Sequence, residues 1–262
     1  MNFANFDTWL KHDLLKIPVG ASEHAHHMDD FMIYIHYLMV ALFVIWMAYF
    51  VFAVFRFRQS AHPKADYTGV KSHASTWLEL GVAVVEVVLL LGFAIPLWAS
   101  AVDAEKFPAE KDSLVIRVIA EQFVWNVRYS GADAKFGKQD SKLIAPDNPF
   151  GVDKTDPASK DDMDAKEIHV PIGKPVIAHL TSKDVIHCFK VVPLRVTQDA
   201  IPGMSIPVHF KATRIGKYQI TCAQLCGSGH ATMKGSLIVE SEADYKAWLA
   251  KVSKGTTATS FE

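Results

Sequence analysis

The chain has 262 residues with nearly balanced charge, 27 Lys and Arg against 28 Asp and Glu, and half of its residues are hydrophobic. No basic stripe interrupts this balance, which argues against nucleic acid as a partner. The hydrophobic residues cluster near the N-terminus instead of being spread evenly along the chain, as they would be in a globular protein. Membrane-spanning segments are therefore expected in the N-terminal part.

Two apolar stretches predict transmembrane helices. Residues 31–55 are uncharged throughout, and a helix of this length, at about 1.5 Å per residue, crosses a bilayer core of about 30 Å. The second predicted helix covers residues 77–99, with Trp77 and Trp98 as interfacial anchors. Its Glu79 and Glu86 share one helix face and are costly in a membrane unless they face protein or water. A buried hairpin in a soluble protein is the alternative interpretation.

Basic residues predict the orientation of these helices. The loop at residues 56–76 is rich in Lys and Arg, whereas acids lie at the opposite helix ends. The positive-inside rule places the loop in the cytoplasm, so that residues 1–30 and everything after the second helix lie outside. No cleavable signal pattern stands out in residues 1–30, so the first helix is expected to be a retained anchor. The loop charges are Arg56, Arg58, Lys64, Asp66 and Lys71, and the flanking acids are Glu23, Asp29, Asp30, Asp103 and Glu105.

Residues 107–241 predict a small antiparallel β sandwich, because short runs of β-branched and aromatic residues alternate there with Gly, Pro, Asp and Ser. An irregular insertion is expected at 130–166. The acidic residues 147–167 predict a solvated loop, with a docking patch for a basic redox partner or a cation site as alternatives. Residues 242–262 predict a short amphipathic helix and a polar tail. The predicted strands cover residues 114–120, 122–129, 167–170, 176–180, 216–222 and 235–239.

The most informative pattern is the run at residues 222–233, which contains Cys222, Cys226, His230 and Met233, with His187 lying 35 residues before its first cysteine. Two thiolates, two imidazoles and a thioether are ligands that copper prefers. A mononuclear copper site needs one cysteine, so the second indicates sulfurs that bridge two copper ions. A structural disulfide would leave both histidines and the methionine unexplained, and methionine is a poor ligand for zinc.

This run, together with residues 181–187 and 198–203, resembles subunit II of the haem-copper cytochrome c oxidases, which carries the binuclear copper centre CuA. The resemblance implies a two-helix transmembrane hairpin followed by a cupredoxin-like β-barrel. It also implies six copper ligands, one of them a main-chain carbonyl. These are His187, Cys222, the carbonyl of Gln224, Cys226, His230 and Met233.

The function implied by this resemblance is electron transfer. The subunit would accept single electrons from cytochrome c or a similar carrier and pass them to haem in subunit I, which reduces dioxygen to water and transports protons. Subunit III is a further implied partner. No catalytic residue is expected in this chain. The implied location is the bacterial inner membrane, with the C-terminal domain on the periplasmic side.

Three further residue groups take their predicted roles from the family. Phe123 and Trp125 lie where the family has the aromatic cluster that receives the electron, and a buried aromatic pair is the alternative. In the region of Glu79 and Glu86 the family has a glutamate that helps to admit protons to the catalytic subunit, which makes Glu79 the first candidate for that role. The alternative is that both are buried carboxylates hydrogen-bonded to a neighbouring subunit. Gln224 replaces a glutamate that helps to hold magnesium at the subunit interface, which argues against magnesium here.

Other functions are compatible with the same copper ligands. A membrane-tethered copper chaperone or sensor would hold exchangeable copper and need no obligate membrane partner. The copper-relay domain of a nitrous oxide reductase is disfavoured by the two spans, and quinol oxidase subunit II is disfavoured because it lacks these copper ligands. Cys188, next to His187, is expected to be a small buried side chain.

Overall fold

A computed structural model describes residues 3–64, 67–68, 72–131 and 134–258 of the chain. The described residues form two compact units, one within His27–Ser100 and the other within Met1–His26 and Ala101–Glu262. Asp66 and Lys71 of the predicted cytoplasmic loop lie outside the described residues, as do the first two residues, residues 132–133 of the insertion and the last four of the tail.

The first unit contains two helical stretches that are long and apolar enough to cross a membrane. After a short helix α1 (Phe3–Thr8), the long helix α2 runs over Ala25–Arg56. It begins six residues before the uncharged stretch, because the polar residues at 25–30 continue the same helix. The second stretch consists of α3 (Ala74–Leu89), a π-helical turn (Leu90–Ala94) and α4 (Ile95–Val102). Large apolar side chains along both stretches are exposed, among them Phe43, Trp46, Phe50, Leu91 and Trp98.

The segment that precedes α2 is part of the second unit. The main-chain N–H of Ala21 donates to Pro193 O over 2.7 Å, and that of Glu23 donates to Lys211 O over 2.9 Å. The hydroxyl of Ser22 donates to Leu194 O over 2.7 Å. This short segment is therefore fixed to the β-domain by two main-chain hydrogen bonds and one from the Ser22 hydroxyl.

The second unit is built on two five-stranded sheets. One has the order β3-β2-β1-β5-β8 and the other the order β4-β10-β9-β6-β7. Buried side chains from both sheets form one hydrophobic core, with Trp125, Tyr129 and Phe189 among its largest members. The strands are β1 (Leu114–Glu121), β2 (Val124–Tyr129), β3 (Met163–Ala165), β4 (Ile168–Pro171), β5 (Pro175–Ser182), β6 (His187–Val191), β7 (Val196–Ala200), β8 (Ile206–Lys211), β9 (Gly216–Cys222) and β10 (Lys234–Glu240).

The predicted architecture is confirmed, since two helices long and apolar enough to span a membrane are followed by a β-domain of two sheets. The prediction of an antiparallel sandwich is wrong in two places, since β1 pairs with β5, and β4 with β10, in parallel. Parallel neighbours need a long crossover connection. The insertion after β2 supplies that length between β1 and β5, and the strands β5–β9 supply it between β4 and β10.

The insertion is anchored to the sheet by a buried ion pair. Arg128 of β2 donates from Nε to Asp162 Oδ2 over 3.0 Å and from Nη1 to Asp164 Oδ1 over 2.5 Å. The Arg128 side chain is 6% exposed and that of Asp162 is fully buried. Part of the acidic stretch is thus internal, although it was predicted to be solvated, because its carboxylates satisfy an arginine inside the domain.

The last helix, α5 (Glu242–Ala258), packs on strands of both sheets through aromatic side chains. The ring of Trp248 stacks on His169 with centroids 4.1 Å apart and contacts Tyr129 edge-on at 5.3 Å. The Tyr129 hydroxyl in turn donates to His169 O over 3.0 Å. The apolar face of the predicted amphipathic helix, which includes Tyr245 and Trp248, is therefore turned toward the sheets.

Candidate metal centre

His187 begins β6 and is fully buried. Its Nε2 lies 2.8 Å from Asp184 Oδ1, and its Nδ1 lies 3.9 Å from Cys222 Sγ. When Nε2–H donates to the carboxylate, the lone pair of the neutral ring is on Nδ1, the atom that faces the sulfur. Asp184 therefore fixes the tautomer and the orientation that a metal ligand requires.

The carboxylate of Asp184 is held in its ionised form. Burial alone would raise its pKa, but hydrogen bonds from His187 and from the main-chain N–H groups of Gln122 and Val185 lower the pKa below its ordinary value. The bond from Gln122 N is 2.7 Å long and that from Val185 N is also 2.7 Å. A charged acceptor at this position strengthens the bond that orients His187.

The other ligand candidates lie at the end of β9 and in the loop that follows, residues 222–233, which we call the ligand loop. Cys222 Sγ and Cys226 Sγ are 3.8 Å apart. Cys226 Sγ lies 3.6 Å from His230 Nδ1 and 3.9 Å from Met233 Sδ. The carbonyl oxygen of Gln224 lies 3.1 Å from Cys222 Sγ.

All six sequence-predicted donors thus converge. Among the described residues, His187, Cys222 and Cys226 form a group whose ligand atoms all lie within 4.8 Å of one another. Each sulfur lies within 3.9 Å of the other sulfur and of one imidazole nitrogen. This pattern suits two soft metal ions that share both thiolates, each with one histidine. The cysteines are free thiols, so the disulfide alternative has no support here.

The ligand loop keeps the sulfurs buried while leaving part of the site near solvent. Cys222, Cys226 and Met233 are buried, whereas His230 is half-buried and Leu225 is 76% exposed. Burial, and then the neighbouring Cys222 thiol, raise the pKa of Cys226 to about 11. Near neutral pH the metal-free site therefore holds a neutral thiol at Cys226, and metal binding has to displace its proton.

The predicted aromatic residues lie beside the ligands. Trp125 is buried, with its ring centroid 6.2 Å from that of His187 and 5.6 Å from that of Phe189. The ring of Phe123 lies against Gly227 and Gly229 of the ligand loop. Trp125 therefore lies beside one candidate ligand, and Phe123 lies against the loop that carries the others.

The remaining predicted residues lie elsewhere. Glu79 and Glu86 are exposed on α3, within the helical unit. Cys188 is buried, as expected, and burial followed by its hydrogen bond to Asp199 raises its pKa to about 12. Cys188 is next to the site, but among the described residues its sulfur is not part of the group formed by His187, Cys222 and Cys226.

Sequence reasoning missed two residues that position the ligands. Asp184 lies within the quoted stretch 181–187, but its spacing of three residues from His187 carried no signal of a contact. Gln122 donates from Nε2 to Cys226 O over 2.5 Å, across 104 positions of the sequence. Only its place next to the aromatic pair could have drawn attention to it.

The chain is similar to known oxidase subunits. The family model "Cytochrome C oxidase subunit II, periplasmic domain" matches residues 114–241. An "Alternative cytochrome c oxidase subunit 2" from Bradyrhizobium diazoefficiens is 35% identical over 208 residues, which cover 79% of this chain and 72% of that protein. A "Probable cytochrome c oxidase subunit 2" from Rickettsia bellii is 31% identical over 233 residues, covering 88% of this chain and 80% of that protein.

Among solved structures, the periplasmic domain of subunit II of cytochrome oxidase from Bradyrhizobium japonicum is 26% identical, with a TM-score of 0.41. The match covers 56% of this chain and 97% of that domain.

Proposed function

Because the chain belongs to the cytochrome c oxidase subunit II family, we propose that its β-domain holds the binuclear copper centre CuA and serves as the electron-accepting site of a haem-copper oxidase. The donor is cytochrome c or a similar carrier, and the acceptor is haem in subunit I. Subunit III is a further partner in the same complex. The membrane-tethered chaperone or sensor is not favoured, because the relatives named above are oxidase subunits.

One observation carries this proposal, namely the pair of thiols placed between two imidazoles. His187 and Cys222 are supplied by strands, while Cys226, His230 and Met233 come from the ligand loop. Cys222 and Cys226, with one histidine near each, would hold the two copper ions, which would supply one-electron transfer with little change in bond lengths. The chain contributes the buried sulfurs, the oriented His187 ring and a half-buried His230 close to the surface where a donor can approach.

Phe123 and Trp125 are proposed to lie on the electron's path. Phe123 contacts the ligand loop, and Trp125 packs against the ring of His187. These contacts support a route from the surface to the ligands through aromatic side chains. Magnesium is not part of the proposal, since the amide of Gln224 lacks the charge that a hard cation prefers.

The proposed location is the inner membrane of a bacterium, with the β-domain on the periplasmic side. Two apolar helices anchor the chain. Residues 21–23, directly before the first helix, are hydrogen-bonded to the β-domain that follows the second helix. In the proposed topology both ends of the hairpin are on the periplasmic side, and the basic loop between the helices is in the cytoplasm.

The full chain, purified in mild detergent from copper-supplied cells, is expected to contain two copper ions per polypeptide. We expect an electron paramagnetic resonance spectrum in which one unpaired electron is shared by both ions. In native membranes it should co-purify with haem. A single, readily exchanged copper ion and no haem-containing partner would instead support the chaperone.

Glu79 is proposed to admit protons from the cytoplasmic side, with Glu86 further along the same face. We expect Glu79→Gln to slow oxidase turnover several-fold, because a neutral amide cannot take up a proton, while the copper spectrum stays unchanged. Glu86→Gln is the comparison, and steady-state oxygen consumption and proton uptake in vesicles are the measurements. Unaltered rates in both variants would remove these residues from the proposed path.

A further inference from the structure

The tip of the β1–β2 hairpin, Glu121 to Phe123, contacts both segments that carry copper-ligand candidates. The main-chain N–H of Gln122 donates to Asp184 Oδ2 over 2.7 Å. The side-chain Nε2 of the same residue donates to Cys226 O over 2.5 Å. A single residue therefore bonds to the two halves of the site through different groups.

One of these bonds leads to His187 through Asp184, and the other goes directly to a ligand candidate, Cys226. Asp184 accepts from Gln122 with Oδ2 and lies 2.8 Å from His187 Nε2 with Oδ1. Cys226 is itself a ligand candidate, and its carbonyl oxygen is the acceptor of the Gln122 side chain. Movement of the ligand loop away from His187 would have to break one of these bonds.

The ring of Phe123 adds a packing contact at the same place. A Cβ atom built on Gly229 would lie 2.3 Å from Phe123 Cδ2, and one built on Gly227 would lie 3.1 Å from Phe123 Cζ. Gly227 also has a φ of +138°, which side-chain-bearing residues rarely adopt. The two glycines therefore allow the ring to lie directly on the main chain of the ligand loop.

The hairpin tip is itself fixed to the segment before His187. Glu121 forms an ion pair with Lys183. It also accepts a hydrogen bond from the Asn126 side chain over 3.0 Å. The main-chain N–H of Lys183 donates to Ala120 O over 3.0 Å. The tip is thus a fixed support rather than a mobile cover.

From these contacts we propose that the hairpin tip is a clasp that holds the ligand loop against the His187 side of the site, with Gln122 as its positioning residue. The inference rests on the proposed copper function for its purpose, but the clasp is a property of the chain before any metal is bound. Holding both halves in place limits the movement of the ligands when the oxidation state changes.

The first test uses the metal-free full chain in mild detergent and the variant Gln122→Met, which keeps side-chain length and loses the donor. Amide hydrogen exchange is measured at His230, Thr232 and Met233, whose N–H groups bond within the loop. We expect exchange there to accelerate about 2- to 10-fold, as for the loss of one hydrogen bond. Gln219→Met, an exposed change on β9, is the matched control and should leave these amides unchanged.

Exchange at the same rate in Gln122→Met and in the unmodified chain would overturn the clasp. Because no copper is present, this result is separate from the proposed function. If the unmodified chain binds no copper at all, the function fails while the exchange measurement still decides the clasp.

A second test uses copper release to a chelator as its readout. Gly229→Ala inserts a methyl group where the Phe123 ring lies, so we expect release about 10-fold faster than from the unmodified chain. Adding Phe123→Ala removes the obstructing ring. Copper release from the double variant should therefore be accelerated by less than the two single accelerations combined. Strictly additive effects would show that ring and loop do not act on each other, and would count against the clasp even if Gln122→Met folds poorly.

Discussion

Cys226→Ser is expected to abolish electron acceptance by the intact oxidase. Cys226 Sγ lies close to Cys222 Sγ, His230 Nδ1 and Met233 Sδ, so its removal breaks contact with three donors at once. Changing residues that only support a metal ligand costs about 10- to 100-fold. If Cys226 is the bridging ligand proposed above, its removal should therefore cost more than about 100-fold in turnover with the natural donor. Oxygen consumption and the copper resonance spectrum are the measurements.

Cys188→Ser is the matched control for this change. It makes the same substitution at another buried cysteine, on β6 beside the site. Among the described residues, the Cys188 sulfur is not part of the group formed by His187, Cys222 and Cys226. Turnover and the copper spectrum should stay close to those of the unmodified enzyme, with at most a small loss of stability from a buried hydroxyl. Turnover that survives in Cys226→Ser, or that is lost equally in both variants, would contradict the proposed ligand set.

Arg128→Met is expected to destabilise the β-domain by about 3–5 kcal/mol, because it leaves the buried Asp162 carboxylate without its partner. The Asp162 side chain is fully buried and accepts two bonds from Arg128. It also accepts one from the main-chain N–H of Gly137, which does not neutralise its charge. The free energy of unfolding, from denaturant titration of the full chain in detergent, is the measurement.

Arg214→Met is the control for the loss of an arginine, since Arg214 is exposed and its change should stay within about 0.5 kcal/mol. Equal unfolding midpoints for the two variants would show that the insertion is not anchored by the Arg128 pair. A larger loss of unfolding free energy in Arg128→Met, together with faster hydrogen exchange of the amides at 134–166, would show that the insertion is released first.

The strands that the sequence pattern predicts best are those with alternating β-branched residues, such as β9 and β10. Strands β7 and β8 were missed because polar residues and a proline interrupt them, for example Gln198, Asp199 and Pro207. Their place depends on pairing with β6 and β5, which no local pattern encodes. The parallel pairs were missed for the same reason, since crossovers join strands that are distant in the chain.

The candidate site shows the same division. Ligand identity follows from residue type and short spacing within 222–233, because soft donors are few and distinctive. The supporting contacts do not follow, since Gln122 reaches Asp184 and Cys226 across 62 and 104 positions. Such contacts involve ordinary polar residues whose role appears only when the strands are placed side by side.

The last strand, β10, lies inside its sheet, between β4 and β9. During synthesis, the second sheet cannot be completed until this strand has left the ribosome, long after both apolar helices have entered the bilayer. Met233 directly precedes β10, so the full set of donors is likewise gathered only at that late moment. In the topology proposed here, copper must then be delivered to the domain after it has crossed the membrane, and cannot travel through the translocation channel inside a finished site.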